Sequence, residues 1–174
     1  MNSSITIVRL PRILAMLQTA SQNLKYPKLR LETESGIKLR LSLAGSRSRH
    51  PGTVSVADNG PFGENNFFGR ITTDGNWQPA AYWQSSPDRQ LQLDDVQSAL
   101  QHFNSDPEAA SRIHGQLHGE CCFCGKELTN AISVHLGYGP ICAQNWGLPH
   151  SMPDAIANAG PMQLNLDGLD REIN

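Results

Sequence analysis

All four cysteines of this 174-residue chain lie within 22 positions, 121–142, and residues 1–120 contain none. Disulfides that staple a fold need partners spread along the chain. Thiols gathered in one short stretch suit a metal site instead. Cys121-x2-Cys124 followed by Gly125 has the spacing of a zinc knuckle. Two thiolates can then reach one ion, and the glycine permits the tight backbone turn. Cys142 follows Gly139-Pro140, the start of a helix, and a thiolate in a first helical turn is stabilised by the helix N-terminus. A structural zinc prefers four ligands. His135 completes a mixed Cys3His set, C-x2-C-x10-H-x6-C. The alternatives for the fourth place are Cys122, strained by its neighbour Cys121, then His118, His114 and a non-protein ligand. Against the whole set stands a cluster of buried free thiols.

The rest of the chain reads as a helix followed by strands. Leu10, Ile13, Leu14, Leu17, Ser21 and Leu24 follow the spacing of one helical face over 10–24, with Pro11 in the first turn. Period two then takes over. Leu29 and Leu31 alternate with Lys28, Arg30 and Glu32, and Ile37, Leu39, Leu41 and Leu43 alternate with Lys38, Arg40 and Ser42. Both leucine sets face one core if a three-residue loop, 34–36, joins the strands. Thr33 then pairs with Ile37, Leu31 with Leu39 and Arg30 with Arg40, and Gly36 takes a positive φ. Further strands are expected at 52–57, 66–73 and 76–83, with Asp74-Gly75 as a hairpin turn. Phe67, Phe68, Trp77, Tyr82 and Trp83 gather here. Core packing is the expected use, and base stacking beside a basic sheet is the alternative. A second helix is expected over 93–104, with Asp94 and Asp95 in its first turn. A third opens at Asp106-Pro107 and runs to about His114.

Charge is divided unevenly. Residues 1–50 hold nine Lys and Arg against two acids, a net +7, while residues 51–174 carry −9. Arg30 directly opposite Arg40, with Lys28 on the diagonal, places like charges together at a cost. A bound phosphate backbone would relieve it. Lys28, Arg30, Lys38, Arg40, Arg47 and Arg49 are therefore the candidate nucleic-acid contacts, DNA or RNA. A bipolar surface without a partner is the plainer reading. No stretch approaches the roughly 18 apolar residues that span a bilayer. The N-terminus lacks the pattern of a signal peptide. A cytoplasmic protein with no membrane partner is expected.

The stretch from Cys121 to Cys142 resembles the cysteine motif of an uncharacterised domain family found in phage and bacterial genomes. Its pattern is roughly C-x2-C-G-R-x-L-T, then S-[IV]-H-x-G-x-G-P-x-C. Cys121, Cys124, Gly125, Leu128, Thr129, Ser133, Val134, His135, Gly137, Gly139, Pro140 and Cys142 match it, and Lys126 stands for the arginine. Asp106-Pro107-Glu108-Ala109-Ala110 and the Phe68–Gly75 hairpin resemble it more loosely. The resemblance implies zinc, and a place near DNA-processing genes.

The expected class is α+β. Residues 1–90 form a basic β-rich domain, an N-terminal helix and a small, mostly antiparallel five-stranded sheet that could curl into a partial barrel. A helical segment and a zinc-knuckle or treble-clef-like module follow over 91–150, then a loosely ordered tail over 151–174. The leading functional expectation is a non-enzymatic, zinc-bearing, nucleic-acid-associated protein, phage-encoded and so resident in the host cytoplasm. A phage effector that binds a host protein is the second. A zinc enzyme is third, because no H-E-x-x-H pairing and no carboxylate cluster is present.

Overall fold

A computed structural model describes residues 7–61 and 63–151; the expected tail beyond Ser151 falls outside the described residues. The fold is α+β. Helix α1 (Pro11–Ser21) leads into five strands, β1 (Lys28–Glu32), β2 (Lys38–Leu43), β3 (Val54–Asp58), β4 (Phe67–Ile71) and β5 (Trp77–Pro79). They form an open antiparallel meander in the order β1-β2-β3-β4-β5, with β1 and β5 at opposite ends. Helices α2 (Pro87–Ser105), α3 (Pro107–His118), α4 (Ala131–Leu136) and α5 (Pro140–Trp146) follow.

The alternation of β1 and β2 sets their register. Arg30 pairs with Arg40 and Leu31 with Leu39, and the Thr33 N–H donates to the Ile37 carbonyl at 3.0 Å. A one-residue slip would turn every leucine to water. Gly36 takes a φ of +90° in the connecting loop. Leu29, Leu31, Leu39, Leu41, Val54, Val56, Ile71 and Trp77 face inward, and α1 lays Ile13, Leu14 and Leu17 in the same core. That cluster continues through Leu93, Val96, Leu100 and Phe103 of α2 into Cys121, Cys122, Phe123, Tyr138 and Trp146.

Several boundaries differ from the sequence reading. The last strand stops at Pro79, and Ala81–Gln84 form a 3-10 turn. Pro79 has no N–H to offer a ladder, so the strand ends there. Its turn carries Trp83 into the core, where the indole N–H donates to the Phe67 carbonyl at 2.8 Å. Helix α2 begins at Pro87, six residues earlier than expected, with Asp88 in its first turn. Its opening turns are solvent-facing and Leu91 is 69 % exposed, so no apolar stripe marks them. Asp94 and Asp95 consequently lie inside the helix, and Asp95 accepts hydrogen bonds from the Ser35 backbone and hydroxyl in the β1–β2 loop. Helix α3 does start at Pro107 beneath an Asp106 cap, which accepts from the Ala109 N–H at 3.0 Å, but runs on to His118. The aromatics divide. Phe68, Trp77 and Trp83 are buried, whereas Phe67 is 37 % and Tyr82 59 % exposed. A bulge between Val56 and Ala57 makes Phe68 the extra residue of β4, which lets it turn inward beside Phe67.

Helix α3 and the turn after α4 meet backbone to backbone. Gly137 has φ +84°, and a Cβ there would collide with the Ser111 carbonyl group; a Cβ on Gly115 would collide with the Gly137 Cα. Replacing Gly137 combines left-handed strain with overpacking, each about 1–3 kcal/mol. Gly137→Ala is expected to destabilise the protein by about 3 kcal/mol, measured by chemical denaturation.

Candidate metal centre

The knuckle is a tight hairpin built by its own backbone. The Cys121 N–H donates to the Lys126 carbonyl at 2.9 Å, and the Gly125 N–H returns to the Cys121 carbonyl at 2.8 Å, with Gly125 at φ +70°. Cys121 and Cys124 therefore project from one turn. Cys142 is the third residue of α5, after Gly139 and Pro140. The three sulfurs all lie within 4.8 Å of one another. A tetrahedral ion with metal–sulfur bonds of about 2.3 Å sets its sulfurs about 3.8 Å apart, so the three cysteines could hold a metal ion with little adjustment. The trio lines a cavity of about 420 Å3.

Protons are unequally shared in this trio. The Cys142 thiol donates to Cys121 and, with backbone N–H groups of Cys124, Phe123 and Gly139, pulls Cys121 down to about 5. The same hydrogen bond holds Cys142 well above its ordinary range. The two thiols titrate as a pair, so the one stabilised thiolate belongs to Cys121 and Cys142 together. Cys122 behaves differently. It is buried beside Ser111, and burial pushes its thiol far up. Its side chain belongs to the core.

His135 is not among the gathered donors; among the described residues the group consists of the three cysteines. The reason is helical phase. Ser133 on α4 lines the cavity beside the sulfurs, and His135, two residues on, is turned about 200° from it. Its Nε2 is buried without a hydrogen-bond partner. Ser133 instead meets His150, whose Nε2 is 3.3 Å from the serine hydroxyl.

Of the six cations, Arg30 has a structural use. Its backbone N–H donates to the Cys122 carbonyl at 2.9 Å, and its Nη1 donates to the Phe123 carbonyl at 3.1 Å. The guanidinium lies over Gly125, where a Cβ would come within 3.4 Å. The Arg30 guanidinium is thus held against the hairpin backbone. Lys28, Lys38, Arg47 and Arg49 are exposed and Arg40 is half-buried. Among the described residues none of them pairs with a carboxylate. Arg70 joins them. Lys28, Ser42, Ser55, Arg70 and Gln78 form one row across the outer sheet face. Arg70 sits 5.4 Å from the centre of the Phe67 ring. A lone arginine in the acidic part of the chain gave no signal in the sequence; only strand register places it here.

A family model described as a family of unknown function, DUF6011, matches residues 112–147, a stretch containing all three gathered cysteines. No curated protein matches the chain, and no solved structure does. No helix among the described residues is long and apolar enough to cross a membrane.

Three substitutions separate the roles. Cys124→Ser is expected to lose metal, read by elemental analysis, and to lower the melting temperature in the same sample. Arg30→Ala is expected to cost about 1–2 kcal/mol in denaturant unfolding, through the unpaired Phe123 carbonyl. Lys28→Ala should stay within about 0.5 kcal/mol of the parent.

Proposed function

We propose that the protein binds one zinc ion through Cys121, Cys124 and Cys142 as a structural clip, and holds the phosphate backbone of a nucleic acid on its outer sheet face. Three thiolates favour a soft or borderline ion, and zinc is the common one in closed sites of this kind. The ion ties the hairpin to α5, which suits a folding role. The reading needs no catalysis.

The observation that carries the nucleic-acid half is the uncompensated basic surface: Lys28, Lys38, Arg40 and Arg70 on one face, with Arg47 and Arg49 in the adjoining loop. Phosphate contacts of this sort supply affinity and salt dependence without reading sequence. Exposed Phe67 on the same face offers a stacking surface to an unpaired base. A phage source rests on the family resemblance alone.

Binding to labelled single- and double-stranded DNA and RNA, titrated against salt, tests the proposal. A linear fall of log K with log salt is expected. Lys28→Ala/Arg40→Ala/Arg70→Ala should shallow the duplex slope by roughly 3, with the fold unchanged by circular dichroism. No binding at low salt would reject this reading in favour of a phage effector that docks on a host protein.

A further inference from the structure

Away from the cysteines, four donor-bearing side chains meet where the last turn of α3 passes the end of β1. His114 and His118 are four residues apart and share one helix face, with ring centres 4.7 Å from each other. Glu32 of β1 brings its Oε2 to 2.8 Å from His118 Nε2. That nitrogen is shut off from solvent yet has no directed hydrogen bond, so the carboxylate approaches it off the N–H axis. Glu120, just past the helix end, lines the same cavity of about 160 Å3 as His114, His118 and Glu32. Burial, then the neighbouring His118, holds His114 below its ordinary range, against the upward pull of Glu32 and Glu120.

We propose that His114, His118 and Glu32 form a second metal site for a divalent transition-metal ion of the zinc type, with Glu120 or water in the fourth place. Two imidazoles and one carboxylate, with a position left open, are a common donor set for such ions. A simple His118–Glu32 ion pair accounts for neither the undirected buried nitrogen nor the second imidazole beside it. An ion between the rings accounts for both. The donors are more widely spread than the three sulfurs, which alone among the described residues gather within 4.8 Å. Binding therefore requires the His114 ring to turn towards His118. Arg30 and Lys38 also line this cavity; the Arg30 guanidinium is held by the Phe123 carbonyl, and Lys38 is exposed and makes no ion pair with Glu32. The site differs in chemistry from the cysteine centre, having no sulfur.

That difference supplies the test. The metal-free full-length chain is titrated with Co2+ and followed by electronic absorption. The first equivalent is expected to raise a sulfur-to-cobalt charge-transfer band. A second equivalent should add only the weaker d–d bands of nitrogen and oxygen ligation. His114→Ala/His118→Ala should keep the first event and lose the second. Glu32→Gln should weaken the second by at least roughly 10–100-fold, the loss typical even of outer partners. Saturation at one equivalent in the parent protein overturns the proposal, as does a second equivalent that survives the double substitution. If the double variant fails to fold, the parent stoichiometry and Glu32→Gln decide the matter.

Discussion

The joint between β1 and the cysteine hairpin is the contact on which the remaining architecture depends. Strand β1 lies at one end of the sheet and would otherwise present a row of unpaired backbone groups. The Cys122 carbonyl takes the Arg30 N–H, and the Arg30 side chain reaches on to the Phe123 carbonyl. A single residue thus pairs one group of the exposed edge and fixes the knuckle against the sheet. Once that is done, Cys122, Phe123 and Tyr138 fall into the same apolar cluster as Leu29 and Leu41. The sulfurs of Cys121 and Cys124 are left facing α5.

This joint also divides the basic residues into two kinds. Arg30 is consumed by the fold, while Lys28, Lys38 and the loop arginines remain in water. Their lack of carboxylate partners among the described residues is what leaves positive charge uncompensated on the outer face. The cysteine trio and the His114–His118–Glu32 set then flank the same edge, one with sulfur donors and one with nitrogen and oxygen. Both depend on β1 holding its place.

Much of the sheet was legible in advance because alternation leaves one register that buries both leucine rows. The cysteine trio was legible because a C-x2-C turn and a Gly-Pro helix start are local signals. The misses share a cause: each required knowledge of something distant or of rotational phase. His135 has a workable spacing, but a short helix turns it away from the sulfurs. Arg30 looked like its neighbours because its true acceptor lies 93 residues further on. Arg70 was hidden because only its cross-strand pairing, through Ser55 and Ser42 to Lys28, puts it in the basic row. The start of α2 was missed although Ser86-Pro87 is a fair helix opening, since its first turns bury almost nothing.

The stretch matched by the family, residues 112–147, is bounded differently in sequence and in space. Phe123 stacks on Trp146 at 4.5 Å inside it, and Cys122 meets Ser111 just before it begins. Its floor comes from elsewhere: β1 supplies an edge, and Thr19 of α1 lies within 3.5 Å of where a Cβ on Gly147 would stand. Cut out of this chain, the segment would lose the strand edge and the Arg30 donor that hold its hairpin, and would leave the Cys122 and Phe123 carbonyls without those partners.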